Sequence, residues 1–378
     1  MGKVIKLTFL GDMLCQREQI VAVEKAKCGY DVVFDQVKHL WADSDYVVGN
    51  LETPVAGKKL RYTYEAMRFN APEGFLAAVR HAGIHFLSTA NNHALDRGVA
   101  GVNGTLRNLD ALGLEHDGTF ETKEQSEQIF VKEIGGLRVA FISCTYGTNQ
   151  GLKCNYLPDD ELWRVAILKY PEQVVATRSF LVKRFVSNLI PLWIKDILRK
   201  RKGRATSAPV HADSVSLVEF GKSEHERFVA AICAKIARAK EVADLTVVLP
   251  HMGGQYNAVP GPWQMKMTET LVGAGADLVV TNHAHTPLGF GTVGSVPVAY
   301  ALGNFCFTPG VGFYNAQCQA DYSEILHCWI DGQTRQIVKL SVDLAKSVTR
   351  ADGVSVVVPV TSDDVQGKIV RERMGLDD

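Results

Sequence analysis

The sequence predicts a mixed α/β fold in which two β-sheets pack as a sandwich with helices on the outside. Apolar runs of strand length alternate with helical patterns up to residue 143 and again from residue 224 onward, as in repeated βα units. Three strand-like runs, 324–330, 337–342 and 354–358, then follow one another directly. These runs predict a β-rich C-terminal segment of antiparallel strands.

Short runs rich in Val, Ile, Leu and Phe predict the earlier strands. In chain order these runs are 4–10, 46–48, 84–87, 139–143, 245–249 and 278–280. Apolar residues at helical spacing predict helices at 75–82, 104–112 and 227–240, and Gly113 provides a stop for the second of them. The stretch at about 150–222 separates the two halves of this pattern and is expected to be a helical insertion.

Five polar segments follow five of these strands, each within a few residues of the strand end. Loops at the carboxyl ends of parallel strands converge at one edge of an open α/β sheet, so the five segments are expected to meet. Imidazole, carboxylate and carboxamide groups together form a ligand set for a divalent cation. The sequence therefore predicts one metal site built from distant loops. The segments are Gly11-Asp12, Gly49-Asn50-Leu51-Glu52, Asn91-Asn92-His93, His251 and His283-Ala284-His285.

Each segment alone has an ordinary structural explanation. A Gly-Asp pair after a strand is commonly a turn, and an Asn-Asn-His segment can cap a helix. A single His251 is typical of a hydrogen-bonded core residue. His283 and His285 are more specific, because alternate residues of an extended segment point to the same side and can bind one ion. The coincidence of five such segments at five strand ends favours the metal site.

The order of these motifs resembles the CapA, or poly-γ-glutamate capsule biosynthesis, family, which is similar in turn to the calcineurin-like metallophosphoesterases. The resemblance covers residues 4 to 310 and includes Asn91-Asn92-His93-Ala94-Leu95-Asp96, His251-x-Gly, His283-x-His-Thr-Pro and Ala301-Leu302-Gly303-Asn304-Phe305. It implies a calcineurin-like two-sheet sandwich over residues 1–345, interrupted by the insertion, and a C-terminal strand and tail over residues 346–378.

The resemblance also implies roles for individual residues. His93 would be an acid outside the metal's own ligands, with Asp96 orienting it, and Asp12 and His283 would complete the catalytic set. Asn50 or Glu52 would occupy the place of a bridging carboxylate. Asn304, in the last motif, is expected to contact substrate. The implied metal ligands are Asp12, Asn50, Glu52, Asn92, His251, His283 and His285.

Three departures from the related patterns predict one ion rather than two. Leu14 stands where dimetal phosphoesterases usually have a histidine, and Asn50 replaces their bridging aspartate. Gln255 stands where the CapA-like pattern has a glutamate. Fewer anionic ligands would hold a second ion weakly. Oxygen ligands suit magnesium, manganese or calcium, whereas histidines favour manganese, zinc or iron, so the metal is expected to be divalent, with manganese or zinc preferred.

The predicted function is a metal-dependent hydrolase of a peptide or polyglutamate-like amide. The alternatives are a metal-dependent peptide epimerase that moves a proton at an α-carbon, a phosphoesterase, and a non-catalytic assembly protein. Arg61, Arg68 and Arg97 lie near the predicted active edge and could clamp a substrate carboxylate. Arg97 is preferred because it adjoins Asp96.

Composition gives no indication of a nucleic-acid partner, because 41 basic and 41 acidic residues leave the formal charge at zero. The eight cysteines are scattered without a Cys-x-x-Cys pair, which indicates reduced thiols. The absence of a signal-peptide pattern and of a long apolar run predicts a cytoplasmic protein.

Residues 180–204 combine apolar residues at helical spacing with a strongly basic end. This pattern predicts a lid over the site or an interfacial helix that makes peripheral membrane contact. The alternative is a helix packed on the body of the protein with a solvated charged end. Pro191 would interrupt or kink such a helix.

Overall fold

The computed structural model describes residues 3–64, 68–149, 155–170, 223–311 and 318–376. Fourteen strands lie in these residues. They are β1 (Val4–Met13), β2 (Tyr46–Leu51), β3 (Phe86–Ser88), β4 (Glu115–Asp117), β5 (Phe130–Ile134), β6 (Leu137–Thr145), β7 (Leu245–His251), β8 (Leu278–Val280), β9 (Pro287–Val293), β10 (Val296–Leu302), β11 (Asn304–Cys306), β12 (Tyr322–Asp331), β13 (Ile337–Thr349) and β14 (Ser355–Pro359).

In the described residues, α-helices alternate with the strands over about the first three quarters of the chain, and one further helix lies near its C-terminal end. They are α1 (Arg17–Ala26), α2 (Glu73–His81), α3 (Gly98–Ala111), α4 (Lys123–Glu127), α5 (Ser223–Val242), α6 (Pro262–Gly273) and α7 (Val365–Met374). Most of the expected insertion, including all of residues 180–204, lies outside the described residues. Within the described ranges, no helix is both long and apolar enough to span a bilayer.

Two sheets form the sandwich that the sequence predicts. The first has the order β14-β13-β12-β1-β2-β3-β4, with β11 also paired to β1, and the second has the order β5-β6-β7-β8-β10-β9. Strands β1, β2, β3 and β4 are mutually parallel, as are β6, β7, β8 and β10. The predicted fold class, a two-sheet α/β sandwich flanked by helices, is confirmed.

The core between the two sheets follows from residue alternation along the strands. Ile5, Leu7 and Phe9 of β1 belong to one buried cluster with Phe141 of β6 and Val247 of β7. Alternate residues of a strand point to opposite faces, so the other face of each sheet is left for helices. Separate apolar clusters join α1, α2 and α3 to the first sheet and α5 and α6 to the second. Because helices cover these outer faces, the carboxyl ends of the parallel strands are left at one edge of the sandwich.

The C-terminal strands are antiparallel, as predicted, and they extend the first sheet. Strand β12 pairs antiparallel with both β1 and β13, and β13 pairs antiparallel with β14. Strand β13 continues to Thr349, so the expected boundary at residue 345 falls inside a strand. The segment after residue 345 is therefore continuous with the sandwich.

The predicted start of the helix at residue 104 is wrong, because α3 begins six residues earlier, at Gly98. Three glycines in its first two turns hide the helical pattern in the sequence. Gly104 is required by packing: a Cβ there would lie 2.9 Å from the carbonyl oxygen of Ala56. The glycine allows the helix to approach the loop after β2 closely, at a cost in helix propensity.

Glu324 on β12 is fully buried and provides a test of stability against pH. Burial raises its pKa to about 8, although Gly289 N–H and Arg373 oppose that shift. Between pH 4.5 and pH 8 the unfolded chain therefore releases a proton that the folded protein keeps, and the free energy of unfolding falls as pH rises through this window. Glu324→Gln should remove this slope and add on the order of a few kcal/mol of stability near pH 8. Urea titrations of both proteins at pH 5 and pH 8 would measure the free energy of unfolding at each pH. The same change in this free energy between the two pH values in both proteins would contradict the prediction.

Candidate metal centre

The centre lies where Gly11 of β1 and Gly303, directly before β11, allow these two strands to approach closely. Asp12, near the end of β1, lies opposite Asn50 of β2 on one side and Asn304 of β11 on the other. The Asp12 N–H donates to the carbonyl oxygen of Gly303 at 2.9 Å. A Cβ on Gly11 would lie 2.1 Å from that same oxygen, so only glycine fits there. The close approach places three predicted site residues side by side.

Gly11→Ala is expected to lower the free energy of unfolding by about 2–4 kcal/mol, because the added methyl forces β1 and β11 apart. Gly273→Ala is the control, since a Cβ at this helical position meets nothing within 4 Å. That change should be neutral or stabilising by about 0.5–1 kcal/mol. Denaturant unfolding measures both, and equal stability of the two variants would show that the backbones need not approach so closely.

Three candidate ligand atoms from three other loops converge at Nε2 of His251. This nitrogen lies 2.9 Å from Oδ1 of Asn92, 3.1 Å from Nδ1 of His283 and 3.5 Å from Oε1 of Glu52. Ligands bonded to one cation at about 2.0–2.2 Å are separated from each other by about 2.8–3.6 Å, from octahedral to tetrahedral geometry. The observed spacings fall in that range, so the residues fit a divalent ion.

His285 and Asp12 complete the surroundings of this point. His285 Nε2 lies 3.7 Å from Oε1 of Glu52, and its Nδ1 lies 3.5 Å from Oδ2 of Asp12. Ligand atoms of Glu52, His283 and His285 all lie within 4.8 Å of one another. Neither oxygen of the Glu52 carboxylate has a hydrogen-bond partner among the described residues, nor does Oδ1 of Asn50. Buried oxygens of this kind are costly unless a cation satisfies them.

The backbone at the two histidines is strained. The φ angle is 106° at His283 and 56° at His285, the left-handed region that residues with a Cβ rarely adopt. Such conformations cost about 1–3 kcal/mol each and persist where surrounding contacts enforce them. The His283 N–H donates to Oδ2 of Asp12 at 3.2 Å, which is one of those contacts. These two backbone conformations direct both imidazoles toward the same site.

Burial and mutual charge set the protonation of the centre. Burial, and next the negative charge of Glu52, raises the pKa of Asp12 well above its usual value. Burial also opposes ionisation of Glu52, but electrostatic interactions with His285 and His251 outweigh it and lower the pKa of Glu52 to about 2. Burial lowers the pKa of His251. A carboxylate anion beside a neutral imidazole is the form that binds a cation, and a cation would compete with the proton on Asp12.

The amide nitrogen of Asn50 donates to Oδ1 of Asp12 at 2.7 Å and lies 3.2 Å from Nδ1 of His251. Oδ1 of Asn50 is consequently the atom left for a ligand role. The predicted metal residues Asp12, Asn50, Glu52, Asn92, His251, His283 and His285 are all buried at this one edge.

His93 and Asp96, the predicted acid and its orienting carboxylate, form a buried pair. Nδ1 of His93 lies 2.8 Å from Oδ2 of Asp96, and that oxygen also accepts the Phe69 N–H at 2.6 Å. His93 directly follows Asn92 in the chain, and Oδ1 of Asn92 lies 2.9 Å from Nε2 of His251. The carboxylate fixes which imidazole nitrogen faces Asp96 and directs the other away from it.

Two predicted substrate residues, Arg68 and Arg97, lie beside the acid pair. Arg68 Nε donates to the carbonyl oxygen of Asp96 at 2.8 Å, and Arg97 Nη2 donates to the carbonyl oxygen of Arg68 at 3.1 Å. The ring of Tyr64 lies 4.1 Å from the guanidinium of Arg61 and 5.3 Å from that of Arg97. Three guanidinium groups are gathered here, an arrangement that suits carboxylate or phosphate groups.

Asn304 has contacts that differ from the expected substrate contact. Its Oδ1 lies 2.8 Å from Nδ1 of His285, and its amide nitrogen donates to the carbonyl oxygens of His285 at 3.2 Å and Ala320 at 3.1 Å. The side chain thus holds a histidine of the centre in place.

Tyr146 was not predicted, yet its ring lies 4.7 Å from that of His283. It directly follows β6, so the rule of strand ends applies to it as well.

A family model described as bacterial capsule synthesis protein PGA_cap matches residues 6–309. The chain belongs to the PGA_cap family. The predicted resemblance is therefore confirmed over most of the chain. The chain is 26% identical over 309 residues to capsule biosynthesis protein CapA of Bacillus anthracis, covering 81% of this chain and 60% of that protein.

The chain is also similar to two further proteins. The chain is 23% identical over 313 residues to PGA biosynthesis protein CapA of Bacillus subtilis (strain 168), covering 81% of this chain and 64% of that protein. It thus spans less than two thirds of the length of these curated relatives. A solved structure described as a novel phosphatase from Mycoplasma pneumoniae is similar with a TM-score of 0.44 and 12% identity, covering 91% of this chain and 94% of that chain.

Proposed function

We propose that this PGA_cap-family protein is a metal-dependent hydrolase of a peptide or polyglutamate-like amide, acting in the biosynthesis of a capsule-like polymer. The observation that carries the proposal is the convergence of ligand atoms from Glu52, Asn92 and His283 on Nε2 of His251, at 2.9–3.5 Å. A divalent cation held there would polarise a substrate oxygen and lower the pKa of bound water. Mixed nitrogen and oxygen ligands favour manganese or zinc, and the departures at Leu14 and Asn50 favour a single ion.

His93 would supply the proton for the leaving group. Its contact with Asp96 at 2.8 Å stabilises the protonated imidazole and fixes the orientation of the ring. The pair is about 1% exposed, which keeps water from competing for the proton. General acid catalysis of this kind needs the acid near the leaving group of a metal-bound substrate, and the position of His93 directly after Asn92 supports that placement.

The guanidinium groups of Arg61, Arg68 and Arg97 support an anionic substrate. Each would bind a carboxylate through paired N–H groups, as a glutamate-containing polymer presents at every residue. The names of the two CapA relatives, which refer to capsule and PGA biosynthesis, agree with that chemistry. A phosphodiester would satisfy the same arginines, so the experiment must separate the two substrates.

The test compares the wild-type protein with His283→Ala after removal of metal and reloading with manganese or zinc. Elemental analysis measures the metal, and three substrates are offered: a γ-glutamyl peptide, a phosphodiester and a peptide in deuterated water. We expect about one ion in the wild-type protein and amide cleavage that His283→Ala abolishes.

Other outcomes identify the alternatives. Incorporation of deuterium at an α-carbon without cleavage would identify the protein as an epimerase instead of a hydrolase. Cleavage of the phosphodiester alone would identify it as a phosphoesterase. Wild-type protein that binds neither metal after reloading would leave the non-catalytic assembly role.

A further inference from the structure

We infer that Arg373, on the C-terminal helix α7, is a positioning residue that holds the His285 loop in the shape needed to bind the metal. Arg373 lies outside the region matched by the family model, which ends at residue 309. The inference rests on the proposed metal centre. It assigns to the last helix a function in metal binding at a distance from the ion.

The guanidinium of Arg373 joins two segments that flank the centre. Its Nη2 donates to the carbonyl oxygen of Pro287 at 2.9 Å and to Oγ1 of Thr286 at 3.3 Å. Its Nη1 donates to Oε1 of Gln319 at 2.9 Å and to the carbonyl oxygen of Cys318 at 3.5 Å. Thr286 Oγ1 in turn donates to that Cys318 oxygen at 2.7 Å. A single planar fork therefore ties both segments together.

Each of these segments bears directly on His285. Thr286 and Pro287 follow it in the chain, and its own backbone is strained at a φ of 56°. On the other side, Asn304 donates to the carbonyl oxygens of both His285 and Ala320, while its Oδ1 meets His285 Nδ1. A shift of the 318–320 segment would move Asn304 and the imidazole together. Arg373 thus acts on both supports of the same ring.

The helix is anchored firmly enough to serve this purpose. Asp364 accepts the Gly367 N–H at 2.9 Å as a helix N-cap, and it also accepts the Tyr322 hydroxyl at 2.8 Å and the Lys346 ammonium. These contacts fix the start of α7 on β12 and β13. At the other end, Met374 approaches Gly289 of β9 so closely that a Cβ there would lie 3.3 Å from the Met374 Cα. The position of the guanidinium is therefore set by packing at both ends of the helix.

Loss of the fork should let the His285 backbone relax from its strained conformation. Metal binding would then have to reorder the loop, and the free energy required for this ordering would weaken the observed affinity. Substitutions of residues that orient metal ligands typically cost about 10–100-fold in affinity. We expect Arg373→Met to weaken Mn²⁺ or Zn²⁺ binding by about 10-fold or more.

The experiment measures the dissociation constant of Mn²⁺ and of Zn²⁺ by titration calorimetry on metal-free protein, together with its thermal unfolding. Arg371→Met is the control, because Arg371 lies two positions away on the same helix and points to the opposite side. The Arg371→Met variant should bind Mn²⁺ and Zn²⁺ with dissociation constants within about 2-fold of the wild-type values. Arg373→Lys keeps the charge but loses the paired geometry, so its affinity should fall between those of wild type and Arg373→Met.

A reduced melting temperature with an unchanged dissociation constant would make Arg373 a structural residue only and overturn the inference. If Arg373→Met does not fold, wild-type affinity in Arg373→Lys would overturn it equally. Failure of the wild-type protein to bind metal would overturn the metal centre and this inference together. Normal wild-type binding with unaffected variants would overturn the role of Arg373 alone.

Discussion

Glu52→Gln is expected to weaken binding of a divalent cation by about 100-fold or more, since it removes the charge of a direct ligand rather than of a supporting group. Glu52 is fully buried, and its Oε1 lies 3.5 Å from His251 and 3.7 Å from His285. The glutamine keeps the shape of the side chain but replaces one ligand oxygen by an N–H donor. Calorimetric titration of the metal-free variant with Mn²⁺ or Zn²⁺ would measure the loss.

The matched control for this substitution is Glu324→Gln, which makes the same change at another fully buried glutamate. Glu324 accepts a hydrogen bond from the Gly289 N–H at 3.3 Å and contributes no atom to the metal centre. Its variant should bind metal as wild type does. Equal affinity of Glu52→Gln and the wild-type protein would remove Glu52 from the ligand set, because no other change in the variant could restore the lost charge.

The position of the centre could be predicted because it depends on a local signal. Asp12, Asn92 and His251 each follow a run of apolar residues, and the carboxyl ends of parallel strands must share one edge. The sheet order confirms that edge, although β1 runs three residues past the predicted end to Met13. The extension arises because β2 and β11 both pair with the Asp12–Met13 segment. Pairing with strands distant in sequence is not visible in the run itself.

Contacts from outside the motifs could not be predicted in the same way. Arg373 reaches the His285 loop from a helix 88 positions further along the chain, and its own surroundings in the sequence are ordinary helical residues. Similarly, Asn304 was expected to contact substrate because of its motif, whereas its hydrogen bonds to His285 depend on how β11 lies beside β1. Sequence patterns indicate which residue types can perform the chemistry. Tertiary packing decides which of them support the others.

Asp96→Asn is expected to lower kcat by about 100-fold or more on the substrate identified by the screen, while metal affinity stays unchanged. The asparagine cannot stabilise a protonated His93 as the carboxylate does across 2.8 Å. Asp110→Asn is the control, since it alters a second His-Asp pair, His116 with Asp110 at 3.1 Å, in which Asp110 is exposed to solvent. That variant should retain wild-type kcat.

Asp96 also accepts the Phe69 N–H, so a local structural change must be separated from loss of the acid. His93→Gln leaves that hydrogen bond intact and should reduce kcat to a similar extent. Because the two residues act as one unit, the double variant should be little worse than either single variant. Full kcat in Asp96→Asn would exclude the pair from proton transfer. Multiplicative losses in the double variant would show that His93 and Asp96 contribute separately, and the proton would then have to come from another group at the same edge.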